Sequence, residues 1–365
     1  MLFDSRLIKI HGLRFPAVFR VLFPAAFSHL LHITLLSYIL CRILSRGVIH
    51  KGIGVYLRNR LTEYAHSILH KRLRHAMMSL YEWEGPMERY QIQSKDCLLQ
   101  VYACGRFDRG TAIIFLHGGP GSGAQAIMEL PAFRALEEDA LCIHFDQRGS
   151  GASSYDLKKG LCIDTLTNDV LRVIQDTRSR WSVKRLYVWG GSFGGCLAAL
   201  CLERFAQELT GCILSSPAIS FSRSQLLEQF ERMSAAFRVR MKELPQKAED
   251  PPTPEALFAM EDFRAFIYSA DNPSKSLRHI CAMSSWFFQH SFHGLFDACE
   301  VPLLILQGKD DPVCSWRTLY DELAACERKT IIKRFYEHCG HEVFTDQRDA
   351  FLKEIRAFLK EEPVC

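Results

Sequence analysis

From Gly85-Pro86 onward, short apolar runs alternate with amphipathic stretches of helical period, and that alternation restricts the chain to a mostly parallel sheet flanked by helices. The strand runs are Cys97–Ala103, Ala112–Leu116, Leu141–Phe145, Arg185–Trp189, Cys212–Ser215, Leu303–Gln307 and Ile331–Tyr336. Several are apolar at every position, as expected when helices cover both sheet faces. Helical stretches run near Ala124–Glu138, Thr165–Arg180, Phe193–Gln207, Arg317–Ala325 and Asp346–Lys360, with another between His66 and Met87. One interval breaks the alternation. Residues 217–300 carry only helix-like stretches, divided by the breaker cluster Pro245 to Pro254, and read as a helical cap over the active face.

Charge separates the N-terminal part from the rest. Residues 1–75 hold 12 Lys and Arg against only Asp4 and Glu63, a local net of +10 in a chain whose total is +4. The whole-chain balance is too weak to point to nucleic acid. Val21–Cys41 has no formal charge over 21 residues, with Arg and Lys on both sides. That is long enough for a bilayer-crossing helix, which needs roughly 20 residues. The balanced basic flanks suit a helix lying on an anionic membrane surface at least as well as a crossing. A helical extension packed on the body of the protein is the other option. The 14 cysteines show no C-x-x-C pair and no dense regular spacing, so they read as small apolar residues in a reducing compartment. The expected location is cytoplasmic, with residues 1–75 as a possible contact to the inner face of the membrane.

The chemistry sits after the strand runs. Gly190–Gly194 (GGSFG) is G-x-S-x-G between an apolar strand and a helix, the setting of a nucleophile elbow with Ser192 at its tip. A serine hydroxyl needs an adjacent base, and the base needs an orienting acid. Acids follow one strand run (Asp310, Asp311) and histidines follow the next (His338, His341), in the chain order serine, acid, histidine. Either aspartate can instead cap a helix. The loop His117–Gly123 (HGGPGSG) follows a central strand, and its small residues let backbone N–H groups approach a substrate oxyanion. The expected oxyanion hole pairs the amides of Gly119 and Phe193. A phosphate cradle is excluded by the absence of a following G-K-[ST] and by Pro120, which lacks an amide proton. His117 reads as a structural, hydrogen-bonding histidine.

Together His117–Gly121 (HGGPG), Asp146–Ser153 (DQRGSGAS) and Gly190–Gly194 resemble the prolyl aminopeptidase, or proline iminopeptidase, family of α/β-hydrolases, over about residues 84–359. The resemblance implies an α/β-hydrolase fold with a helical cap after the sixth strand. The basic, apolar N-terminal segment is not part of the family pattern and reads as an extra helical segment. The expected divisions are 1–80 for that segment, 81–216 for the first part of the core, 217–300 for the cap and 301–365 for the second part of the core. The resemblance maps the catalytic triad onto Ser192, Asp311 (through Gly308–Asp311) and His341 (through Gly340-His341). Family members usually carry Trp after the nucleophile, where this chain has Phe193. In the family, acidic cap residues hold the substrate's α-amine; here Glu228, Glu231, Glu255, Glu261 and Asp262 are the acids on offer, with Glu228, Glu231 and Glu261 as the named candidates.

The expected activity is therefore a serine aminopeptidase that releases an N-terminal residue, preferably proline, from short peptides, with no metal or organic cofactor implied. A membrane-associated carboxylesterase or lipase with the same triad is the alternative suggested by the N-terminal segment. A catalytically inactive hydrolase fold that binds a ligand is the third reading.

Overall fold

A computed structural model of the chain describes residues 87–219, 275–283, 294–298, 300–324 and 330–360, together with 261, 265, 267, 268, 286 and 292. The chain divides into two units, Met1–Trp83 and Glu84–Cys365, and every described residue belongs to the second. The run Val21–Cys41, the helical stretch 66–87 up to residue 86, and the breaker cluster Pro245 to Pro254 lie outside the described residues.

Eight strands form one sheet: β1 (Glu88–Ser94), β2 (Cys97–Gly105), β3 (Thr111–Leu116), β4 (Leu141–Phe145), β5 (Arg185–Gly191), β6 (Gly211–Ser215), β7 (Leu303–Gly308) and β8 (Ile331–Tyr336). Their spatial order is β1-β2-β4-β3-β5-β6-β7-β8. β1 and β2 form an antiparallel pair, β2 runs antiparallel to β4, and all other pairings are parallel. This is the expected α/β-hydrolase architecture. From β3 the chain crosses to β4 on one side, then returns to β5 on the other. That reversal opens a crevice at the carboxyl ends of β3 and β5, where open α/β sheets place their ligands.

β3, β4, β6 and β7 are buried at every position, which is why they read as unbroken apolar runs. The helix α1 (Ile163–Arg180) packs on β1 and on α2 (Phe193–Phe205), and α2 packs on β3, β5 and β6. α1 is amphipathic: Ile163, Leu166, Val170, Val173, Ile174 and Thr177 form its buried face. α2 is different. Nearly all of it is buried, including Phe193, Leu197, Leu200 and Phe205, so the helix that follows the candidate nucleophile is held by the core over its full length. Each such large apolar side chain contributes roughly 1.5–3 kcal/mol on burial. α3 (Lys275–Ala282) lies between β6 and β7 in the chain, in the interval expected to form the cap, and α4 (Trp316–Ala324) and α5 (Arg348–Lys360) complete the longer described helices. Among the described residues no helix is long and apolar enough to cross a membrane. Ten described cysteines are free and all but Cys162 are buried, in keeping with their use as small apolar residues.

Two elements differ from the sequence expectation. β1 (ERYQIQS) is a strand that the hydropathy pattern did not suggest, because an edge strand buries only alternate positions: Ile92 and Ser94 point inward while Glu88, Arg89, Gln91 and Gln93 are exposed. The stretch Ala124–Glu138 is not one helix but two short ones, Gln125–Met128 and Pro131–Leu136. Pro131 explains the break: it drives Leu130 to φ −74, ψ 142, an extended conformation that ends the first helix.

The core also holds two uncharged histidines. His144 on β4 is fully buried, stacks on Phe115 with ring centroids 4.5 Å apart, and neither ring nitrogen has a hydrogen-bond partner. Burial pushes His144 down to about 3 and His117, just after β3, down to about 4. Both stay neutral in the fold while the unfolded chain takes up protons near pH 6.5, so stability present above that pH is lost as pH falls toward 4. Urea unfolding at pH 7 and pH 5 should show a loss of about 2 kcal/mol per histidine. His144→Leu should remove its share of the loss, and an unchanged pH dependence in that variant would contradict the assignment.

Candidate active site

The elbow is built by close approach. Ser192 joins β5 to α2 at φ 55, ψ −122, a strained conformation for a residue with a side chain. Its N–H donates to Ser215 O of β6, and its carbonyl accepts from Gly195, Cys196 and Ala218. Those four bonds fix the backbone on which the hydroxyl is carried. A Cβ on Gly190 would lie 2.1 Å from Gly194 O, and one on Gly194 would lie 1.9 Å from Leu116 O. Both positions of G-x-S-x-G therefore exclude any larger residue, and the elbow packs directly on the end of β3.

Strand register carries the other loops to the same edge. Leu116 pairs with Gly190, so the loop that begins at His117 starts beside the elbow. A Cβ on Gly118 would lie 3.2 Å from Ser192 Cβ and 3.8 Å from its Oγ, which sets this loop against the serine. Gly119 is exposed at φ +116, and Phe193 is buried at the first position of α2. Gly308 pairs with Tyr336, so the loops after β7 and β8 also start side by side.

Those two loops distinguish between the candidate acids and histidines. His341 Nδ1 lies 2.8 Å from Asp311 Oδ2, with side chains 24 % and 0 % exposed. A carboxylate only accepts, so the proton of this bond is on Nδ1, which leaves Nε2 as the basic nitrogen. Asp310 and His338 instead face solvent, 64 % and 96 % exposed, and their closest approach is 3.9 Å. Asp311 Oδ1 accepts from the N–H groups of Val313 (2.7 Å) and Cys314 (3.0 Å), and Oδ2 also accepts from Gln307 Nε2 (3.1 Å). Burial pushes the Asp311 carboxyl up, but the hydrogen bond and charge of His341 and the two N–H groups outweigh it and hold it below its ordinary value. The Cys314 thiol sits close by, its ligand atom and those of Asp311 and His341 all within 4.8 Å of one another. With four donors on the carboxylate and burial raising the thiol far above its usual range, the group is arranged to hold a proton acceptor and not a cation.

The DQRGSGAS segment acts as a frame. Asp146 Oδ1 accepts from Ala124 N–H (2.7 Å) and Oδ2 from Ala152 N–H (2.8 Å), which ties this loop to the one after β3. A Cβ on Gly151 would collide with the Asp146 carboxylate at 2.2 Å. Arg148 is fully buried and bonds Asp169 (2.8 and 3.0 Å), Asp96 (2.5 Å) and Ser94 O (2.9 Å). His117 Nδ1 faces Gly118 O at 3.0 Å and Nε2 accepts from Gln147 N–H at 3.1 Å, while its carbonyl accepts from Gln147 Nε2 at 2.7 Å. His117 is thus a structural clamp, as its sequence context suggested.

One residue at this edge escaped the sequence reading. His279 of α3 is buried against both glycine-rich loops; a Cβ on Gly121 would come within 2.5 Å of its ring, and one on Gly149 within 3.1 Å. Its Nδ1 faces Lys275 O at 2.9 Å and its Nε2 faces Ser150 Oγ at 3.5 Å. Burial lowers its proton affinity, so the ring docks α3 on the loops in its neutral form. No local pattern marks such a residue, since Ser150 is 129 positions away. Of the candidate amine-binding acids, Glu261 is exposed, and Glu228, Glu231, Glu255 and Asp262 lie outside the described residues.

The chain is similar to several known proteins. A stretch of 280 residues, 70 % of this chain, is 22 % identical to a proline iminopeptidase of Lactobacillus crispatus and covers 92 % of that protein. A shorter stretch of 107 residues, 29 % of this chain, is 32 % identical to a probable proline iminopeptidase of Leptolyngbya boryana and spans 31 % of it. The fold is shared with an esterase of Exiguobacterium antarcticum at a TM-score of 0.55, with 19 % identity over 75 % of this chain and all of that one. The serine aminopeptidase, S33, family model matches residues 109–348, a span that takes in the HGGPG loop, the elbow, Asp311 and His341. By that match the chain belongs to the S33 serine aminopeptidase family of α/β-hydrolases.

Proposed function

We propose that the protein is a serine aminopeptidase that releases an N-terminal residue, preferably proline, from short peptides. The observation that carries this reading is the buried Asp311 held 2.8 Å from His341 on the sheet edge that also bears the Ser192 elbow. Ser192 Oγ attacks the scissile carbonyl, and His341 Nε2 takes its proton and then delivers it to the leaving amine. Asp311 fixes the tautomer and stabilises the imidazolium. The N–H groups of Gly119 and Phe193 receive the oxyanion, aided by the N-terminal end of α2. Water then hydrolyses the acyl-enzyme with His341 again as base. Acids of the cap, with Glu228, Glu231 and Glu261 as candidates, hold the substrate's α-amine. The preference for proline rests on the relatives named proline iminopeptidase.

Parallel assay of the purified protein on a prolyl-arylamide and a short-chain aryl ester, with Ser192→Ala as blank, tests this. The prolyl-arylamide should be the better substrate by kcat/KM. Turnover of the ester alone would shift the reading to a carboxylesterase.

The second reading, a membrane-associated esterase or lipase with the same triad, is favoured by the charge pattern of residues 1–75, whose net is +10 around an uncharged 21-residue run. Each basic residue near an anionic surface adds about 1 kcal/mol of attraction. The full chain should then sediment with phosphatidylserine vesicles, less so as salt is raised, while a chain starting near Glu82 stays in the supernatant and keeps its activity on small substrates. Full-length protein left in the supernatant, with the shortened chain aggregating, would make the segment part of the fold.

A further inference from the structure

We propose that Gln307 is a positioning residue for the reaction: its buried amide fixes the Asp311 carboxylate so that Oδ2 faces the His341 ring, and it limits the negative charge that the ring meets. Gln307 is the fifth residue of β7 and fully buried. Its Nε2 lies 3.1 Å from Asp311 Oδ2, 2.9 Å from Gly308 O and 3.2 Å from Cys314 O. One side chain therefore bonds the start of the post-strand loop, its acid and its end. The oxygen it touches is the one that accepts from His341, while Oδ1 is occupied by two backbone N–H groups. Rotation of the carboxylate about its Cβ–Cγ bond would break the Gln307 contact together with those of the backbone.

The second effect is electrostatic. A donor on Oδ2 spreads charge that would otherwise concentrate on the His341 bond. Removing it strengthens the pull of Asp311 on a protonated ring, so the base is blocked by protons up to a higher pH. Among the described residues, the titratable groups beside this pair are Cys314 on the same loop and Cys339 beyond β8, while Asp310 and His338 face solvent. None of them is altered in the test below.

The inference rests on Asp311 and His341 acting as proposed above. Gln307→Met is close in shape and lacks the donor; Gln307→Leu is a second variant that also lacks it. In both, the acid limb of kcat/KM on an aryl substrate should move up by roughly one pH unit, the scale of a hydrogen bond to a charged group. A role in packing alone would lower the plateau and leave the limb in place, and that result would overturn the proposal. Should neither variant fold, the unaltered protein decides. The Gln307 side-chain amide resonances in the ¹⁵N-labelled chain should titrate with the midpoint of the kcat/KM acid limb, and resonances that stay fixed through it would also overturn the proposal. Asp311→Asn separates the two levels. Full activity in that variant would reject the triad itself; an inactive Asp311→Asn together with an unmoved limb in the Gln307 variants would reject only the positioning role.

Discussion

Ser192→Ala is expected to lower turnover by about a millionfold, the loss seen when the nucleophile of a serine triad is removed. The fold should survive the change. The backbone at Ser192 is held by its own N–H bond to Ser215 O and by three N–H groups on its carbonyl, all of which alanine retains. Alanine also brings no atom larger than the Cβ already present beside Gly118. Thermal unfolding of the variant should therefore match that of the parent, while an assay on the preferred aryl substrate falls to the blank rate. Near-normal turnover in a well-folded Ser192→Ala protein would remove the elbow from the mechanism.

The second large effect separates neighbours that residue type alone leaves alike. Asp311→Asn should cost about 10⁴-fold in kcat, because the amide turns the imidazole to the wrong tautomer. Asp310→Asn should be far milder, since that side chain is 64 % exposed and approaches only the still more exposed His338, at 3.9 Å. His341→Ala should be much worse than His338→Ala for the same reason. Sensitivity at Asp310 or His338 instead would mean that the loops after β7 and β8 rearrange when substrate binds.

What the sequence revealed and what it hid have physical causes. The elbow, the HGGPG loop and the two post-strand loops were legible because close backbone approach demands glycine, and glycine clusters at strand ends are local signals; a Cβ on Gly190, Gly194 or Gly308 would meet a backbone oxygen at 2.1 Å or less. The choice between Asp310 and Asp311 was not legible from residue type. It depends on burial and on the Gly308↔Tyr336 register, neither of which a loop sequence encodes. β1 was hidden because its exposed positions are polar and only alternate ones face the core. His279 was hidden because its partners lie on loops more than 100 residues away, and Gln307 because it reads as the polar end of an apolar strand, although its partners lie within seven residues. The DQRG motif was visible but its task was not. Arg148 and Asp146 hold loops and strands together from a buried position, so the motif is specific to the framework that presents the serine.

The central claim is that Ser192 is activated by His341 and Asp311. The most direct measurement is covalent labelling with a fluorophosphonate, followed by peptide mapping by mass spectrometry on the parent protein and on the Ser192→Ala, His341→Ala and Asp311→Asn variants. A single adduct on Ser192 is expected in the parent, with none in Ser192→Ala and a greatly slowed reaction in the other two. Rapid labelling at Ser192 that persists without His341, or an adduct at another residue of the parent, would contradict the account.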